Sequence, residues 1–98
     1  MGILTVDLHL PEAQSLKQKR REVLRVKQGL ARHLGASVSE VDHHELWQRC
    51  RISLAVVARE AGEAADQLER ASRRLGTDPE WRVMSEHREV LDIHEDLA

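Results

Sequence analysis

The chain has 98 residues, 41% of them hydrophobic and 33% charged, which describes one globular domain burying roughly two-thirds of its unfolded surface and excludes a disordered chain. No apolar run approaches the ~20 residues of a membrane helix. The start MGILTVDLHL lacks the basic segment and cleavage site of a secretory leader, and the single cysteine, Cys50, excludes an internal disulfide and a four-thiolate cluster; together these predict a cytoplasmic protein. The net charge of −2 hides an asymmetry: residues 16–34 carry seven basic side chains against Glu22, and residues 86–98 carry five acids against Arg88. Twelve arginines stand against three lysines, and scarce asparagine, methionine and cysteine with abundant charge fit a thermophile, while a GC-rich genome would skew composition in the same way.

ILTVDLHL alternates, with Leu4, Val6, Leu8 and Leu10 on one face and Ile3, Thr5, Asp7 and His9 on the other. This predicts a half-buried strand ended by Pro11. Ser15 stands three residues before Gln18, a capping box, and opens a helix over 16–34 that Gly35 stops. Leu16, Val23, Leu30 and Leu34 form its expected apolar spine, widened by Leu24, Val26 and Ala31. At 100° per turn step, Lys17, Arg21, Arg25 and Arg32 form a solvent-facing basic stripe, while Arg20 and Lys27 fall nearer the apolar sector.

Ala36 to Val41 reads as a short second strand anchored by Val38 and Val41, and Trp47 to Ala58 as a third with Ile52, Leu54 and Val56 inward. A second helix follows over 62–75, with Ala64, Ala65, Leu68, Ala71 and Leu75 buried and Gly76 at its stop. Residues 81–94 form a last strand. Trp81, Val83, Leu91 and Ile93 share one parity and Met84 and Val90 the other, so the strand is buried on both faces at its ends or carries a bulge.

The order β-α-β-β-α-β with right-handed crossovers predicts an α+β ferredoxin-like plait over residues 1–98: a four-stranded antiparallel sheet with two helices on one face. The β1–α1 junction and the β2–β3 turn are expected at opposite ends of it, so that SLKQKR and DHHELWQR would not share a pocket within one chain.

Two segments resemble a known family. V-D-L-H-L-P-x-A-Q-S-L-K-x-K-R at Val6–Arg20 and S-V-S-E-V-D-H-x-x-L-W-Q-R at Ser37–Arg49 are similar to the YlxP-like family of small bacterial proteins of unknown function. The resemblance implies a ferredoxin-like fold and, because genes of that family often neighbour those of a translation initiation factor and a ribosome-binding factor, work around translation. It lends no catalytic residues. Lys27 stands where an apolar residue is usual, and the last strand is longer.

Lys17, Lys19, Arg20 and Arg21 sit in the first turns of a helix whose N-terminus attracts anions, and with Arg25 and Arg32 they are the candidate surface for RNA phosphate or an acidic partner. Cations at that end are intrinsically unfavourable, so an anionic neighbour is expected, the 86–98 segment being one choice. In DHHELWQR, Asp42, His43, His44 and Glu45 with Cys50 are potential metal ligands, but adjacent histidines on an extended chain point opposite ways and no ordered ligand spacing is present. The preferred reading has Asp42 turning the chain and Leu46 and Trp47 burying the hairpin end; the other is a second recognition surface of Asp42, His43, Trp47 and Arg49. The open sheet face offers Thr5, Asp7, His9, Arg51, Ser53 and Ala55, with no aromatics for stacking bases as an RNA-recognition motif does. Asp7 and His9 share a face, but no nucleophile motif, glycine-rich phosphate loop or carboxylate pair accompanies them. The expectation is a non-enzymatic binding module without cofactor, metal, membrane partner or DNA sequence readout, associated with the ribosome or RNA. A homodimeric protein-interaction module is the alternative, and an enzyme on a phosphorylated small molecule the third.

Overall fold

A computed structural model describes residues 1–91, with elements β1 (Gly2–His9), α1 (Leu16–Leu34), β2 (Ser37–Asp42), β3 (Arg49–Val56), α2 (Ala61–Gly76) and β4 (Arg82–Val90). The sheet order is β2-β3-β1-β4 and every pairing is antiparallel, which is the expected plait. Ile93 and the acids Asp92, Glu95 and Asp96 lie outside the described residues.

The period-two pattern of β1 translates directly into burial. Leu4, Val6, Leu8 and Leu10 are sealed against the helices with Ile52, Leu54 and Val56 of β3, while Ile3, Thr5, Asp7 and His9 face the open side. α2 contributes Ala64, Leu68, Ala71 and Leu75 to the same core, and Ala65 is exposed. β4 carries the bulge: the register slips between Asp7↔Ser85 and Leu8↔Val83, leaving Met84 as the extra residue. Trp81 and Val83 therefore pack inward before the slip. After it, Glu86 and Arg88 turn to the helix side, where Glu86 accepts from Ser72 at 2.7 Å and Arg88 meets Glu69 at 2.7 Å.

Three local expectations are corrected. The buried stripe of α1 is Lys19, Val23, Val26 and Leu30; Leu24 is 53% exposed and Ala31 lies outside the stripe. A slip between Glu40 and Asp42 puts Val41 in a bulge, 47% exposed, so β2 is held by Val38 and Glu40 instead. Gly76 is the last residue of α2, and Thr77 caps the helix with its backbone N–H bonded to the Arg73 carbonyl.

At the ends of α1 the stop signals act as read. The Ser15 hydroxyl accepts from the Gln18 amide at 3.1 Å, the Gln18 side chain reaches back to the Gln14 amide at 2.9 Å, and Gly35 sits at φ 64°. A Cβ in that left-handed region costs about 1–2 kcal/mol. Gly35→Ala is therefore expected to lower the urea midpoint by that order with an unchanged slope, although its Cβ would meet nothing within 4 Å. Gly76→Ala, at an ordinary helical position, should instead gain up to about 1 kcal/mol.

Candidate functional site

Chain direction places the motifs. A strand–helix–strand crossover returns β2 parallel to β1, so the C-terminal ends of both strands, the start of α1 and the β2–β3 loop all lie at one end of the plait. SLKQKR and DHHELWQR therefore meet within one chain, and the expectation of opposite ends is wrong even though the topology is right.

Lys19 joins them. It sits on the buried stripe of α1, its side chain is fully enclosed, and its Nζ lies 2.6 Å from Glu40 Oε2, 2.7 Å from the His43 carbonyl and 3.4 Å from the His44 carbonyl. Three donors thus face three oxygens. Glu40 Oε2 is buried and accepts no well-directed hydrogen bond, so Lys19 meets its charge electrostatically. The loop is fastened a second time by Gln48, whose Nε2 donates to the Pro11 and Ala13 carbonyls at 3.2 Å and whose own carbonyl accepts from the Leu10 amide at 2.9 Å. Beneath these contacts lies Cys50, its thiol pushed well above the ordinary range by burial and by the nearby Glu40 carboxylate.

On the open sheet face Asp7 organises the next layer. Arg51 grips it with two bonds, Nε to Oδ1 at 2.9 Å and Nη2 to Oδ2 at 3.2 Å, and the Ser85 hydroxyl donates to Oδ2 at 3.2 Å. Arg51 also reaches Asp42 Oδ2 at 3.3 Å, and Asp42 Oδ1 accepts from the His43 amide at 2.7 Å. His43 is held at φ 64° with Nε2 buried 3.7 Å from Asp7, beyond hydrogen-bond reach. The Arg51 hydrogen bonds outweigh burial and hold the Asp7 carboxyl below its usual range, and the His43 amide does the same for Asp42.

A depressed folded pKa stabilises above the unfolded value, about 3.9, and the contribution disappears as pH falls through the folded value. Asp7→Asn should therefore melt several degrees lower, on the order of 5 °C, at pH 7. The gap to the unsubstituted protein should close below about pH 4, as thermal unfolding across a pH series would read.

Of the candidate cations, Lys17, Arg20, Arg21 and Arg32 are exposed, and among the described residues they make no ion pair. Arg32 stands near the far end of α1, about 22 Å along the axis from Lys17 at the helical rise. Lys19 is buried and cannot present its charge to a ligand. Arg25 is spoken for by Glu22 at 2.8 Å and Asp78 at 2.9 Å. At Asp78 burial opposes the charge, yet the bonds from Arg25 and the Glu80 amide leave its carboxyl lowered. The candidate surface of six cations thus shrinks to Lys17, Arg20 and Arg21 at the loop end; of the expected stripe only Lys17 and Arg21 remain there, and Arg20, expected nearer the apolar sector, is exposed beside them. Of the acids of the 86–98 segment, the two that are described do not serve this surface: Glu86 is bound to Ser72 and Arg88, and Glu89 pairs with Ile3 toward the other end of the sheet; the other three lie outside the described residues.

Leu46 and Trp47 do not bury the hairpin end; they are 47% and 52% exposed, because Lys19, Gln48 and Asp42 fix the loop by polar contacts. With Glu45, Gln48 and Arg49 they line a shallow concavity. Lys19 was legible as more than a surface charge, since at 100° per residue it shares the sector of Val23, Val26 and Leu30. Among the described residues no group of three or more His, Cys, Asp or Glu is arranged to hold a metal ion, and no helix is long and apolar enough to cross a membrane.

The family model described as protein of unknown function (DUF503) matches residues 1–88, and the chain belongs to that family. No curated protein matches it.

Proposed function

We propose that this DUF503 protein is a YlxP-like, non-enzymatic binding module that engages RNA phosphate in the surroundings of translation, through the end of the plait where α1 begins. The observation that carries the reading is the Lys19 anchor. By pinning the β2–β3 loop to α1, it gathers Lys17, Arg20 and Arg21 of the helix, Trp47 of the loop and Arg49 at the start of β3 at one end. Basic side chains with an exposed aromatic suit a nucleic-acid strand, whose phosphates take the charge while a base takes the ring.

Filter binding of ribosomal RNA across a salt series tests this. Three helix contacts to single-stranded RNA predict a slope of log K against log salt of about −2. A flat response, or tighter binding to an acidic polypeptide, would remove the RNA reading.

A further inference from the structure

The candidate surface so far uses α1 and the loop. The pairing of the strands shows a second cationic feature that neither accounts for. His9 is directly opposite Arg49 on β3 and directly opposite Arg82 on β4. Cross-strand partners share a face, so Arg49, His9 and Arg82 form a row across three adjacent strands on the open side of the sheet. Neighbouring strands lie about 4.8 Å apart, so the row spans about 10 Å. The two arginines stand on either side of His9, near enough for their like charges to repel.

The next row of the same face is the contrast. There Arg51 is matched by Asp7 and Asp42 and is closed as a structural network. These two carboxylates are committed one layer below. Among the described residues, no ion pair involves Arg49, His9 or Arg82, and both arginines are exposed. Two uncompensated arginines flanking a histidine, beside a matched arginine on the same face, mark a place where the missing negative charge comes from a ligand. Arg49 also lines the concavity that holds Trp47, so the row ends at an exposed indole.

We propose that Arg49, His9 and Arg82 form a phosphate-binding row for the backbone of single-stranded RNA, with Trp47 stacking a base at its β3 end. The proposal rests on the reading of the protein as an RNA-binding module and extends the contact from the α1 turns onto the open sheet face. The absence of Phe and Tyr from that face does not weigh against it, because arginine forks bind phosphate directly and guanidinium and imidazole planes also stack bases.

The test is fluorescence anisotropy with a labelled oligouridylate over a salt series, together with thermal unfolding. For Arg49→Ala/Arg82→Ala the expected result is roughly tenfold weaker binding at low salt and a salt slope shallower by about 1.4. The melting temperature should be unchanged or higher, since like charges are being removed. Trp47→Ala should weaken binding with the slope unchanged. The proposal is overturned if the double variant binds as the unsubstituted protein does, if its affinity falls only together with its melting temperature, or if polyglutamate competes and shows the same dependence on the two arginines. Should Lys17→Glu/Arg21→Glu weaken binding while the arginine pair does not, the row alone is wrong. Loss with the arginine pair and none with the helix pair would support the row and refute the helix contact. No binding by the unsubstituted protein would refute both.

Discussion

Replacing Lys19 by methionine is expected to cost about 3–5 kcal/mol, the loss typical of removing one partner from a buried ion pair. The reason is not that the pair is strong. Both groups were taken out of water to form it, and the Lys19 side chain is wholly enclosed while that of Glu40 is 14% exposed. Removing the ammonium leaves the Glu40 charge enclosed without a counter-ion and strips two loop carbonyls, those of His43 and His44, of their donor. The double variant Lys19→Met/Glu40→Leu should recover most of the loss, because a packed apolar pair is often as stable as a buried ionic one. The two charges are then coupled, and the double-mutant cycle measures by how much. Urea unfolding of the single and double variants beside the unsubstituted protein reads both outcomes. Equal losses in the single and double variants would mean that the bonds from Lys19 to the His43 and His44 carbonyls, and not the pairing with Glu40, hold the site.

Lys17→Glu/Arg21→Glu is expected to move binding and stability in opposite directions. On RNA, two lost phosphate contacts lower the salt slope by about 1.4, and the reversed charges add repulsion, so affinity at low salt should fall by roughly a hundredfold. On folding, the first turn of α1 contains no acid, and Lys17 stands there against the positive end of the helix dipole. A glutamate at 17 reverses that term, worth about 0.3–1 kcal/mol; Arg21, a turn further on, contributes little. The variant should thus melt at or slightly above the temperature of the unsubstituted protein while binding RNA poorly. A variant that both binds and melts as before would mean that these cations serve neither purpose.

The sequence carries some of this plainly. Strand β1 alternates without exception, and its burial follows residue by residue. The phase change along β4 required either two-faced burial or an extra residue, and Met84 is that residue. The Ser15 cap and the Gly35 stop follow from local chemistry alone. The misses share a different character. Lys19 lies in the apolar sector of its helix, yet a lysine reads as surface until a partner is known, and that partner is 21 positions away. Val41 looks apolar and strand-like, but a bulge takes it out of register. Leu46 and Trp47 look like a hydrophobic plug, while the loop is secured by hydrogen bonds that no pattern announces. The row of Arg49, His9 and Arg82 depends on the pairing of strands separated by 40 and 73 positions, so it becomes visible only once the register is fixed.

Cys50 supplies a way to watch the end of the molecule at work. Its sulfur lies beneath the β2–β3 loop, shielded from solvent and held in its unreactive protonated form. An alkylating reagent can reach it only in the moments when the structure above it lifts. Because there is no second thiol in the chain, the rate of modification becomes a clock for that opening. The clock runs without any added probe, and its slowing in the presence of a ligand would locate the ligand at this end.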